Sequence, residues 1–172
     1  AYMVLEFEDG RALGKWLSGL GRPPTQAELD PIVAALCDAL ATIHEKRLIH
    51  RDIAPDNIII RTDGSPVLLD FGAARYEVAD QTRLGGRPVQ TASYAVIKAH
   101  YSPIEQRSTD ASRRGPWSDI YSLGATLYRA VTGGVPPDSN DRMMNDVSAV
   151  AASDSPNARA YRPSFLAAID KA

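Results

Sequence analysis

This 172-residue sequence has only one cysteine, no strong charge excess and no long apolar run. The single cysteine, Cys37, excludes an internal disulfide framework and favours a reducing compartment such as the cytoplasm. No apolar run is long enough to span a bilayer, so we expect no membrane segment in these residues. The net charge of -2 gives no electrostatic reason to expect a nucleic-acid partner. The sequence as a whole is 44% hydrophobic and 23% charged, which fits one globular domain.

Helical periodicity dominates the apolar pattern. Apolar residues recur at intervals of three and four, the spacing of one helix face. The segments that predict helices are 13–20, 29–43, 119–131, part of 137–151 and the stretch from 162 onward. Two short apolar runs, 57–60 and 67–69, flank a polar turn and predict a β-hairpin. The expected fold is therefore mainly α with a small β-hairpin, preceded by a strand at 2–7 and a turn at 8–10.

The first long helix has two alternative starts. Thr25 with Glu28 fits a capping box, whereas Asp30 followed by Pro31 would place proline at the first helical position. The sequence does not decide between them. The apolar stripe of this helix includes Cys37, which we therefore expect to be a small core residue rather than a nucleophile.

Four short motifs follow one another along the chain. H-R-D-I-A-P-D-N occupies 50–57, D-F-G occupies 70–72, S-P-I-E occupies 102–105 and D-I-Y-S-L-G occupies 119–124. In this order they resemble the catalytic loop, the two ends of the activation segment and the buried central helix of protein kinases. The residues of these motifs resemble those of the bacterial serine/threonine kinases. One tripeptide would be a weak signal, but four motifs in order on the predicted elements are specific.

The resemblance implies a kinase C-terminal lobe. A hinge strand and linker would occupy 1–10 and the lobe 11–172, with the catalytic loop at 50–57 and the activation segment at 70–105. The sequence contains no glycine-rich phosphate loop, and we expect the N-terminal lobe to be absent from this chain. A-V-I-K at 95–98 imitates the lysine-bearing strand of that lobe, but it follows D-F-G and so lies in the wrong place.

The same resemblance assigns the catalytic and metal-binding residues. Asp52 would be the base that accepts the proton of the substrate hydroxyl. Asn57 and Asp70 would hold the Mg²⁺ ions that accompany ATP, since amide and carboxylate oxygens suit a hard cation. His50 is better interpreted as a packing residue.

The nucleotide would also contact the first residues. Leu5 aligns with the gatekeeper of the family, and Glu6 to Glu8 align with the hinge. The hinge binds adenine through backbone groups, so the side chains there carry little information.

A regulatory phosphate is also implied. Arg51 and Arg75 resemble the basic pocket that receives an activation-loop phosphate, and Thr91 and Ser93 are candidate phosphorylation sites. The alternative is that both arginines are ordinary structural or surface residues.

One departure from the family concerns the cation beside the catalytic aspartate. Serine/threonine kinases usually have lysine two residues after that aspartate, where this chain has Ala54. Lys98 stands three residues before Tyr101, where the family commonly has a threonine that touches the aspartate. We hypothesise that Lys98 supplies the missing charge near Asp52. The alternative is a solvent-facing lysine in a mobile loop.

Three further polar residues have no clear partner in the sequence. Glu105 normally pairs with an arginine near the end of the lobe, and no such arginine is evident here, so water or another group would have to replace it. His44 and His100 show no metal-ligand spacing and are expected to be structural or exposed.

The resulting expectation is ATP-dependent phosphorylation of serine or threonine in protein substrates by the parent enzyme, in the cytoplasm. This fragment alone is expected to be inactive. The main alternative is a pseudokinase or protein-binding scaffold. A small-molecule kinase fits less well because such enzymes lack the long activation segment. A homo-oligomer that covers the exposed lobe surface is a further possibility.

Overall fold

The computed structural model describes residues 7–69, 75–76, 97–108, 110–145 and 150–172. Five α-helices occur in this part of the chain, together with short 3₁₀ turns. The helices are α1 Leu13–Leu20, α2 Gln26–Glu45, α3 Pro116–Thr132, α4 Ser139–Met144 and α5 Pro163–Lys171. The short strands are β1 Gly10–Ala12, β2 Leu48–Ile49, β3 Ile58–Arg61, β4 Pro66–Leu68 and β5 Arg75–Tyr76. The prediction of a mainly helical fold with a small antiparallel sheet is confirmed.

The predicted hairpin is present as β3 and β4, which pair antiparallel with Ile59 opposite Val67. The prediction of a turn at 8–10 is wrong at its last residue, because Gly10 begins strand β1 and pairs with Arg61. A Cβ atom at Gly10 would lie 2.5 Å from the carbonyl oxygen of Ile60, so this close pairing requires glycine. The sheet therefore has three strands, in the order β1-β3-β4.

Helix α2 starts at the first of the two alternative positions. Thr25 is the N-cap and forms a full capping box with Glu28, while Pro31 lies inside the helix. Pro31 is the sixth helical residue, beyond the four N-terminal positions whose N–H groups have no helical partner, so the helix continues through it with one backbone hydrogen bond fewer. The prediction that Cys37 is a core residue is wrong, since Cys37 is exposed. At about 100° per residue it lies at the edge of the apolar stripe, beyond the face that packs inward.

The core lies between α2, α3 and α5. Helix α2 contributes Leu29, Leu36 and Leu40, all less than 3% exposed, and α3 contributes Val131, which is fully buried. These side chains belong to one cluster with Leu166 of α5. Within the described ranges, none of the helices combines the length and the hydropathy that crossing a bilayer would require. Ile53 of the loop at 50–57 belongs to the same cluster, so the helical core packs directly against this loop.

Candidate active site

The loop at 50–57 runs from the end of β2 to the start of β3. Arg51 has φ of 69°, in the left-handed region that non-glycine residues seldom adopt. The loop is closed by a hydrogen bond from the Asn57 backbone N–H to the Ala54 carbonyl, 2.9 Å long. The Asn57 side-chain Nδ2 donates to the Asp52 carbonyl at 2.8 Å. Asp52 and Asn57, both predicted site residues, are therefore held together.

Asp119, at the start of α3, binds the backbone of this loop. Its side chain is fully buried. Oδ2 accepts from the backbone N–H of His50 at 2.9 Å, and Oδ1 accepts from the backbone N–H of Arg51 at 2.8 Å. His44 Nε2 lies 2.8 Å from the same Oδ2. The sequence analysis missed this anchoring role, although Asp119 belongs to one of the four motifs.

A second anchor comes from the 3₁₀ turn at Ile104–Arg107. The Gln106 side chain is buried, with the residue 2% exposed. Its Nε2 donates a hydrogen bond to the Arg51 carbonyl. The backbone of Arg51 is thus bonded on both sides, by Asp119 to its N–H and by Gln106 to its carbonyl. These two bonds stabilise the unusual φ of Arg51.

Lys98 and Asp52 form an ion pair. Lys98 Nζ lies 3.0 Å from Asp52 Oδ1, and the two side chains are 26% and 6% exposed. The structure therefore places Lys98 beside the residue that the sequence analysis named as its target. Partial burial strengthens the attraction, because fewer water molecules screen it. The side chain of Asp52 is held at a defined position at the edge of the loop.

Asn57 fits the ligand set that a hard cation requires. Its Nδ2 donates to the Asp52 carbonyl, and its amide oxygen takes no part in that bond. An amide oxygen is an appropriate ligand for Mg²⁺. The second predicted ligand, Asp70, lies outside the described residues, as do Leu5, Glu6, Thr91 and Ser93.

Glu8, from the predicted hinge, forms an ion pair with Arg61 of β3. Arg61 Nε donates to Glu8 Oε2 at 2.8 Å, and this bond lowers the pKa of the Glu8 carboxyl. The pair ties the residues before β1 to strand β3, which begins directly after Asn57. The backbone of Glu8, which the sequence analysis expects to contact adenine, is not involved in this pair.

The backbones of the two arginines of the predicted phosphate pocket are close in space, because Arg75 pairs with Ile49, two residues before Arg51. Arg51 is 8% exposed and lies in the loop. The backbone of Arg75 pairs with Ile49 in the short β2-β5 ladder, directly before the loop. A phosphate-binding role for either arginine stays a prediction.

Glu105 has a local partner. The Ser118 hydroxyl donates to Glu105 Oε1 at 2.8 Å, and Arg114 Nε donates to the Glu105 carbonyl at 3.4 Å. Ser118 itself is 2% exposed. The carboxylate that was expected to need water or another group is thus bonded to the first turn of α3.

The order of the motifs agrees with comparisons to known proteins. A family model described as "Protein kinase domain" matches residues 1–164. The chain belongs to the protein kinase family. It is 41% identical over 138 residues to "Serine/threonine-protein kinase PknA" of Nostoc sp., covering 80% of this chain and 23% of that protein. It is 36% identical over 140 residues to "Serine/threonine-protein kinase PknB" of Mycobacterium tuberculosis, covering 81% and 21%. The sequence resemblance to bacterial serine/threonine kinases is confirmed.

A longer match at lower identity is "Serine/threonine-protein kinase PrkC" of Bacillus subtilis, 29% identical over 170 residues, which cover 98% of this chain and 24% of that protein. A solved structure titled "PpkA-294 apo form" superimposes with a TM-score of 0.75 at 33% identity, covering 96% of this chain and 54% of that one. The chain spans less than a quarter of the length of these curated relatives.

Proposed function

We propose that the protein containing this chain transfers the terminal phosphoryl group of ATP to serine or threonine hydroxyls of protein substrates. The observation that carries the proposal is the placement of Asp52. It lies in a loop whose backbone Asp119 and Gln106 fix at Arg51, and its carboxylate lies 3.0 Å from the Lys98 ammonium group. Positioning and charge stabilisation supply most of the catalysis in phosphoryl transfer, so a rigid loop suits this chemistry.

Each loop residue has a defined part in the proposed reaction. Asp52 accepts the proton as the substrate oxygen bonds to phosphorus and the bond to the ADP oxygen breaks. Asn57 and Asp70 would hold magnesium, which neutralises charge on the phosphates of bound ATP. The Asn57 bond to the Asp52 carbonyl holds the proposed base and the proposed magnesium ligand at a fixed distance from each other.

Lys98 supplies, in this proposal, the cation that the family usually has at the position of Ala54. Its ammonium group bonds Asp52 at 3.0 Å and would also stabilise charge on the transferred phosphoryl oxygens. Ala54 is only 1% exposed and packs against Tyr101 and Ala125, so this site is filled by a small apolar side chain. The cation therefore comes from the activation segment rather than from the catalytic loop.

The primary test is phosphate transfer from radiolabelled ATP by the full-length protein, with phosphoamino-acid analysis of the product. Asp52→Asn is expected to lower the turnover number by about a thousandfold or more, because the base is lost. Asp63→Asn, in the exposed turn between β3 and β4, is the matched control and should keep full activity. A wild-type protein that binds ATP without transferring phosphate would overturn the proposal and favour the scaffold alternative.

The proposed role of Lys98 has its own test. Lys98→Ala should lower the turnover number about 10- to 100-fold, and Lys98→Arg should retain part of the activity. An unchanged turnover number in Lys98→Ala would refute this role.

The remaining features follow from the proposed chemistry. ATP is supplied in the cytoplasm, so we place the reaction there. The 172 residues alone are proposed to be inactive, because they contain no glycine-rich loop to hold the ATP phosphates. Self-association stays a prediction that light scattering can test. The large apolar side chains that the described residues expose most are Phe7, Met143 and Met144.

A further inference from the structure

The turn at 98–102 fixes the backbone of Lys98 from both sides. The Lys98 carbonyl accepts from the backbone N–H groups of Tyr101 and Ser102, at 3.1 and 3.0 Å. The Lys98 N–H in turn donates to the Ser102 hydroxyl at 3.0 Å. Ordering a lysine side chain costs about 2 kcal/mol of rotamer entropy. Because the backbone of Lys98 is already fixed, only the side chain has to be ordered when the ion pair with Asp52 forms.

The turn is itself bonded to the residues around it. The Tyr101 hydroxyl accepts from Arg129 of α3 at 2.9 Å. The Ser102 carbonyl accepts from the Ser139 hydroxyl at 2.9 Å. Tyr101 and Ser102 are both less than 9% exposed. The C-terminal half of the turn is therefore anchored in the core, while Lys98 lies at its outer end.

His100 is the unusual residue of this turn. Its φ is 74°, in the left-handed region, which costs a non-glycine residue about 1 kcal/mol. Its ring Nδ1 lies 2.8 Å from the Pro136 carbonyl oxygen. A carbonyl only accepts, so Nδ1 carries the hydrogen and donates it. This bond ties the outer half of the turn to the segment between α3 and α4, and it offsets the strain.

We propose that His100 is a positioning residue, whose hydrogen bond to Pro136 holds the turn at 98–102 so that the Lys98 ammonium group meets Asp52. Only the expected effect on the turnover number rests on the proposed function. The contact itself exists whether or not the protein transfers phosphate. His100 touches neither the phosphoryl donor nor Asp52 in this proposal, and it acts through Lys98.

The direct test measures the reactivity of the Lys98 amine in the full-length protein. Limited acylation with an amine-specific reagent, followed by mass spectrometry of the peptide with Lys98, gives its rate. In His100→Ala the rate should rise about threefold and approach that of Asp52→Asn, in which the ion pair is removed. An unchanged rate in His100→Ala would overturn the positioning role, whatever the kinase activity is.

The kinetic test separates positioning from general damage. In the wild-type background, His100→Ala should lower the turnover number about tenfold while leaving KM for ATP unchanged. In the Lys98→Ala background the same change should have little further effect, because the side chain that it positions is gone. An equal loss in both backgrounds would show a merely structural role and overturn the proposal.

Two substitutions at His100 separate strain from bonding. His100→Gly removes both the bond and the strain, whereas His100→Asn tolerates the left-handed conformation and retains a donor. His100→Asn should recover part of the activity that His100→Ala loses. The activity of His100→Gly should not exceed that of His100→Asn. Full activity of His100→Gly would indicate that only the backbone conformation matters, which contradicts the role of the imidazole.

Discussion

His44 Nε2 lies 2.8 Å from Asp119 Oδ2, although the two residues belong to different helices. The same carboxylate accepts the backbone N–H groups of His50 and Arg51. A carboxylate only accepts, so three donors converge on one buried anion. The ends of α2 and α3 are thus joined directly beneath the loop that carries Asp52.

Replacing Asp119 by asparagine should disrupt this loop. The amide has one donor end, which would face a backbone N–H, and the charge that strengthens all three bonds is lost. We expect Asp119→Asn to lower the free energy of unfolding by about 3 kcal/mol and to lower the turnover number strongly. Urea denaturation and kinase assays of the full-length protein would measure the two effects. Asp110→Asn, an exposed turn aspartate, is the control; a loss no larger than that of the control would contradict the anchoring role.

Removing His44 should have a smaller effect on the same anchor. His44→Phe removes one of the three donors but leaves the Asp119 bonds to the loop backbone in place. The expected loss is about 1 to 2 kcal/mol in the free energy of unfolding, with the turnover number reduced only moderately. A double-mutant cycle with Asp119→Asn should give a coupling of about 1 kcal/mol, because the residues are in contact. Strict additivity would show that the two side chains do not interact in solution.

Local patterns predicted most of the fold correctly. The capping box of Thr25 and Glu28 and the hairpin at β3 and β4 both depend on residues that are near neighbours in the sequence. Strand β1 escaped prediction because three residues with weak strand propensity become a strand only by pairing with Arg61 and its neighbours. Cys37 was placed wrongly because an apolar stripe can be wider than the face that packs.

The candidate site also has features that the sequence predicted and features that it did not. The catalytic loop was recognisable as a motif, and the position of Lys98 relative to Tyr101 suggested its contact with Asp52. The function of that contact stays a prediction. The two bonds from the loop backbone to Asp119 were not predictable, because their donors are backbone N–H groups of distant residues, and backbone groups leave no signature in the sequence.

The bond between Ser118 and Glu105 gives a further prediction about stability. Ser118→Ala removes the donor and leaves the half-buried carboxylate without it, which should cost about 1 kcal/mol in the free energy of unfolding. Glu105→Gln should cost less, because the amide oxygen still accepts from the serine hydroxyl. Chemical denaturation of both variants would show the order. A larger loss for Glu105→Gln than for Ser118→Ala would show that the charge of Glu105, rather than this hydrogen bond, is what matters.

The start of α2 should make stability depend on acid pH. Arg22 and the Thr25 backbone N–H lower the pKa of Glu28 from 4.5 to about 2. Because the folded pKa is below the unfolded one, the contribution of Glu28 is complete above about pH 4.5 and is lost as pH falls toward 2. Glu28→Gln should therefore lower the free energy of unfolding by about 1 kcal/mol at pH 7, a modest figure because the pair is partly exposed, and by progressively less below pH 4. Urea titrations at pH 7, 4 and 3 would test this, with Glu45→Gln at the other end of the helix as control. A Glu28→Gln deficit that stayed constant down to pH 3 would show that its charge contributes nothing to the cap.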